Sequence, residues 1–118
     1  MKKYLPLLLV VMLACASCQR GPATYEVTDN PRDVAAHAEK FVKKAAKLSK
    51  HYTVEDWDAA VDQFILMGKN YYENSRFLTE DERMQYDNVR LQFIAAIDAT
   101  GNEQLALRVK EEYGKIFE

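Results

Sequence analysis

The sequence predicts an all-α fold, a compact antiparallel bundle of four helices over residues 31–118. Three observations carry that expectation. Apolar residues recur at alternating spacings of three and four, the period of a helix face packed against neighbours. Capping residues stand at Asn30, Thr53, Thr79 and Asn102, where helix starts need side-chain acceptors for free N–H groups. The connections left between these segments are two to four residues long, which makes successive helices antiparallel.

Asn30 before Pro31 opens the first helix, because proline at the first position forgoes an N–H that would be unpaired anyway. Its stripe is Val34, Ala38, Phe41, Ala45, Leu48 and Tyr52. Thr53 caps the second helix, and Glu55 and Asp56 favour the positive end of its dipole. The second stripe is Trp57, Val61, Phe64, Gly68, Tyr71 and Ser75. Thr79 and Glu82 form a capping box that starts the third helix. That helix buries residues from Tyr86, Val89, Phe93, Ile94 and Ile97 and stops at Gly101, a residue suited to a left-handed C-cap. Asn102 caps a shorter last helix with Leu105, Val109, Tyr113, Ile116 and Phe117 inward.

The N-terminus reads as an address. Lys2 and Lys3 precede an apolar run from Leu5 to Ala14, closed by Ala14-Cys15-Ala16-Ser17-Cys18. A charged start, a run of about ten apolar residues and small residues at the end make a secretory signal. The run is far short of the roughly twenty residues of a membrane-spanning helix. Cysteine at the cleavage point resembles the lipobox of bacterial lipoproteins, so residues 1–17 are expected as signal and Cys18 as the acylated residue, with Cys15 as the alternative. Cleavage before Cys18 leaves no other thiol, whereas cleavage before Cys15 leaves one in an oxidising compartment. Residues 18–30 then form the lipidated cysteine and its tether, broken by Gly21, Pro22 and Pro31. Twelve extended residues reach about 40 Å at ~3.3 Å each; Tyr25 to Thr28 lying on the domain is the lesser alternative.

Composition bounds the function classes. The chain has 16 basic and 18 acidic side chains; loss of Lys2 and Lys3 leaves 14 against 18, a net of −4, which is no footprint for nucleic acid. The histidines, His37 and His51, follow Val34 and Leu48 by three residues, so the Glu-x-x-His of di-iron bundles is missing. The expected domain over 31–118 has no cysteine to pair for zinc, and the chain has no Gly-x-Ser-x-Gly. The carboxylates Glu55, Asp56, Asp58, Glu80, Asp81 and Glu82 lie in first turns, where capping and dipole account for them. A non-enzyme without metal or cofactor is the expectation.

Two features stand above this background. Lys40, Lys43, Lys44 and Lys47 share one face of the first helix, with His51 completing the row and Lys50 at its edge. Such a row reads first as a solvated face near a helix C-terminus; the alternative is contact with anionic lipid headgroups or polyanionic glycan. Tyr71 and Tyr72 are 100° apart on a helix, so one of them faces outward. Tyr72 is expected to be that residue and a candidate interface contact, since tyrosine is common where proteins meet.

The stretch Tyr52-Thr53-Val54-Glu55-Asp56-Trp57, then Phe64 and Tyr72, then Leu78-Thr79-Glu80-Asp81-Glu82 resembles a family of small lipoproteins of Bacteroides and relatives. That family is built on a helical domain of unknown function, and the likeness covers roughly residues 41–97. It implies a lipid-anchored envelope protein and no catalytic residue, substrate or cofactor. Gln19-Arg20-Gly21-Pro22-Ala23 after the cysteine lacks the acidic residues frequent in surface-exposed members, which implies the periplasmic side of the outer membrane. The functional expectation is a non-catalytic module that binds another protein, its partner unnamed. The alternatives are the lysine face as a lipid or glycan site, and a small apolar ligand carrier with a gap where Gly68 faces the bundle.

Overall fold

The computed structural model describes residues 21–118. The signal expected at 1–17, Cys18 and the alternative Cys15 lie outside the described residues. Helix α1 (Pro31–Leu48) is capped by the Asn30 side chain, which accepts from Arg32 N–H, and ends in a 3₁₀ turn at Ser49–His51. Helix α2 (Val54–Asn74) starts at a reciprocal box of Thr53 and Asp56 and ends in a 3₁₀ turn at Ser75–Phe77. Helix α3 (Glu80–Ala99) starts at the Thr79–Glu82 box. Gly101 stops it with φ of 69°, a left-handed conformation that L side chains disfavour. Helix α4 begins as Glu103–Arg108, with Asn102 Oδ1 accepting from Gln104 and Leu105 N–H, and continues as a π turn over Val109–Tyr113. Four helices and no strand are present among the described residues.

Contacts between named residues fix the directions. Arg32 pairs with Glu82 at 3.1 Å, Glu39 accepts from Gln85 at 2.7 Å, and Phe41 stacks on Phe93, so α1 and α3 run parallel. Arg108 reaches Asp58 and Asp62, and Tyr113 stacks on Phe64, so α2 and α4 run parallel. The Tyr86 and Tyr113 hydroxyls meet at 2.6 Å, which sets α3 against α4. Successive helices are therefore antiparallel, and α1 lies diagonally across from α4.

The core is an aromatic column to which each helix gives one ring. Phe41, Phe93, Phe64 and Tyr113 follow one another at centroid distances of 5.7, 4.3 and 4.5 Å. Stacked rings at these separations add to the burial of their own area. Val61, Met67, Val89, Ile97 and Leu105 fill the space around the column.

Several expected positions shift. Residues 21–30 are not a free tether: Ala23 and Tyr25 are buried to 1% and 4% exposure. Phe117, expected inward, is 43% exposed, whereas Ile116 beside it still packs on the core. Trp57 is half-buried at the core edge, against Tyr52 and Phe93. Tyr52 and Ser75 lie just past their helices in the turns that end them. The gap over Gly68 is filled: a Cβ there would stand 2.5 Å from Tyr113 Cε2 and 3.0 Å from Ile116 Cδ1.

Candidate functional site

Residues 23–28 form a strap in the groove between α1 and α2. Ala23 N–H donates to Tyr52 Oη at 2.9 Å, and Tyr25 N–H donates to Gln63 Oε1 at 2.9 Å. Asn70, 3% exposed, holds the far end. Its Oδ1 accepts from Tyr25 Oη at 2.7 Å and from Thr28 N–H at 3.1 Å, while its Nδ2 donates to Thr28 O at 2.8 Å. An asparagine side chain can mimic the donor and acceptor of a neighbouring strand, and here it pairs Thr28 on both sides. The Tyr25 ring meets Phe41 edge-on at 6.2 Å, and His37 Nδ1 lies 2.9 Å from Glu26 O. The sequence offered one signal for this arrangement: an asparagine beside the apolar stripe of α2, a buried polar group that needs partners.

The α1 face carries Lys40, Lys43, Lys44, Lys47 and Lys50, all exposed. Lys43 pairs with Glu39 at 2.8 Å. The hydrogen bond from Lys43, with a second from Gln85, holds the Glu39 carboxyl below the usual carboxylate range. The other four lysines make no ion pair among the described residues. Lys40 and Lys44 border a depression with Thr24 and Glu26 of the strap. Half-buried Leu48 lies between Lys44 and Lys47 on the same face.

Diagonally opposite, a cleft of about 420 Å³ opens between Tyr71, Tyr86, Tyr113 and Phe117, with Asp87, Arg90 and Gly114 at its rim. Tyr71 stacks on Tyr86 at 3.9 Å. Burial pushes the Tyr86 hydroxyl far above its ordinary range, and burial pushes Tyr113 up to about 12. Arg90 Nε lies 3.5 Å from Asp87 Oδ1. Tyr72, at 53% exposure, meets Phe117 edge-on at 5.9 Å just outside the cleft. The π turn puts Tyr113 over Gly68 and leaves Gly114 with open space beyond it; such turns inside helices are frequent at functional sites. Burial keeps the hydroxyls of Tyr71, Tyr86 and Tyr113 protonated, so the cleft presents ring faces and neutral hydroxyls.

The two sets of candidate residues from the sequence are thus on opposite sides of the bundle. The lysines lie together on α1, and Tyr72 joins an aromatic face that the sequence did not foretell. Among the described residues no three His, Cys, Asp or Glu side chains are grouped to hold a metal ion, and no helix is long and apolar enough to cross a membrane. No family model matches the chain, and no similar curated protein or solved structure was found.

Proposed function

We propose that this is a non-catalytic lipoprotein of the bacterial envelope, held by acyl chains on Cys18 and binding another protein through the aromatic face of α2 and α4. The observation that carries the binding assignment is the pairing of Tyr72 and Phe117. Two large rings meet edge to face yet stay 53% and 43% exposed beside an aromatic cleft. Aromatic anchors beside a pocket are the usual centre of a protein interface. Support for the anchor comes from the signal pattern and from the likeness of the capping motifs to small envelope lipoproteins, and the lack of acidic residues over 19–23 supports the periplasmic side of the outer membrane.

A photo-crosslinking residue at position 72 tests the binding face in cells of the native host. A discrete protein adduct from position 72 that is missing from position 91, on the exposed side of α3, is expected. Equal labelling from both positions, or none, would refute the assignment. The anchor is tested separately. Cys18→Ser should release the chain from membranes, because acyl chains contribute about 0.8 kcal/mol per buried CH₂, while Cys15→Ser should leave it attached. The opposite pattern would move the anchor to Cys15.

A further inference from the structure

We infer that the outer face of α1 rests on an anionic phospholipid surface, with Lys40, Lys44, Lys47 and Lys50 against the headgroups. This builds on the reading of Cys18 as the acylated residue, and the strap is what adds to it. Because Ala23 is fixed at Tyr52, five residue steps separate Cys18 from the folded domain, not the twelve of a free tether. Five steps reach at most about 18 Å. The headgroup layer takes up roughly 5–8 Å of that on each side of a bilayer. The edge of the bundle is therefore held within about 10 Å of the headgroups, close to the Debye length of about 8 Å at physiological salt. At that range surface charge is felt.

The strap also decides which side faces down. The chain leaves the fold at Tyr52, where α1 ends, and the row from Lys40 to Lys50 runs back from that point along the outside of α1. The end of the bundle itself is a poor lipid contact, because it presents Glu55, Asp58, Asp98 and Glu103, all exposed. Three carboxylates lie on the α1 side against five lysines: Glu39 holds Lys43 and Gln85, Glu26 Oε2 lies 3.8 Å from His37 Nε2, and Asp33 stands exposed in the first turn, at the end of α1 away from the chain exit. The four lysines without ion pairs give this side its net positive charge, and Leu48 adds apolar area among them. A bundle lying on α1 turns α4 and the aromatic face away from the membrane, where a protein can reach them.

Lysine acetylation read by mass spectrometry tests this on the full processed chain, reconstituted in vesicles of phosphatidylcholine with or without phosphatidylglycerol. Lys40, Lys44, Lys47 and Lys50 should react several-fold more slowly on vesicles containing phosphatidylglycerol. Lys110 and Lys115 on α4 should react alike on both, and raising salt should remove the difference. Changing the four lysines to Gln, with helix content checked by circular dichroism, should weaken salt-sensitive vesicle binding at least a hundredfold, at about fivefold per lysine. Equal protection on both vesicle types would show that the leash alone brings α1 near the bilayer and would overturn the inference. So would protection by a soluble polyanionic glycan with none on phosphatidylglycerol. If the intact mass reveals no acyl chain, the anchor reading fails by itself. The face is then judged by co-sedimentation of the same chain with phosphatidylglycerol vesicles, and absence of salt-sensitive binding overturns it.

Discussion

At the scale of single residues, the molecule turns on Asn70 and Gly68, two neighbours on α2 with opposite requirements. Asn70 is buried and polar, and removing its amide strands Tyr25 Oη together with the N–H and C=O of Thr28. Each buried group left unpaired costs about 1–3 kcal/mol, and three such groups set against one short segment favour its release into water. Asn70→Leu should therefore release residues 23–28, seen as faster amide exchange at Tyr25 and Thr28 while α1 to α4 persist. Unchanged protection at both amides would mean that packing of Tyr25 on Phe41 holds the strap by itself. Gly68 needs the absence of a side chain, since a Cβ would collide with Tyr113 at 2.5 Å. Gly114 has nothing within 4 Å of the same position. Gly114→Ala should gain up to about 1 kcal/mol from helix propensity, whereas Gly68→Ala should lose about 1–3 kcal/mol by forcing Tyr113 off Tyr86. Urea denaturation of the two variants gives the signs, and equal signs would contradict the close packing of Tyr113.

At the scale of elements, the helices were legible because their starts are written locally. Asn30-Pro31, Thr79 with Glu82, and Asn102 each act within one turn, and Gly101 stops α3 where expected. The Thr53–Asp56 box went unread because aspartate takes the place where the pattern has glutamate or glutamine. The apolar stripes of α1 and α2 came out too narrow. Ala35 and Val42 on α1, and Ala60 and Met67 on α2, are also buried, because α1 is covered by both α3 and the strap. That cover is a long-range pairing of residues 23–28 with Gln63 and Asn70, for which no local spacing speaks. The π turn was equally invisible, since it follows from the fit of Tyr113 over Gly68. So the lysine row could be placed from the sequence, and the aromatic cleft could not. Trp57 shows the effect on energetics. As a core residue its truncation would cost about 3–5 kcal/mol; half-buried beside Tyr52 and Phe93, Trp57→Ala should cost about 2 kcal/mol. A loss above 4 kcal/mol in chemical denaturation would show that the edge packs as tightly as the centre.

At the scale of the whole molecule, the core relies on neutral tyrosines, and that sets a pH limit on the fold. Tyr86 and Tyr113 share a buried hydrogen bond between α3 and α4, and Tyr25 is buried under the strap. Burial raises all three hydroxyls above the ordinary tyrosine range. For an acid with a raised folded pKa, the folded state keeps its proton where the unfolded chain has lost it. The resulting stability is fully present below the unfolded pKa of about 10 and is lost as pH rises beyond it. Each such group removes about 1.4 kcal/mol per pH unit. Tyr86 and Tyr113 together should therefore cost about 3 kcal/mol per unit from about pH 10 up to about 12, where Tyr113 itself ionises in place, and Tyr25 acts in the same direction. A domain of this size has about 5–15 kcal/mol in total, so helix content should collapse cooperatively within that interval. Phenolate absorbance and circular dichroism followed together during an alkaline titration check this. The buried tyrosines should ionise in one step that coincides with loss of helix. Gradual ionisation of every tyrosine while the helices remain would show that Tyr86 and Tyr113 reach solvent in the folded state, and that the aromatic column is open at its α4 end.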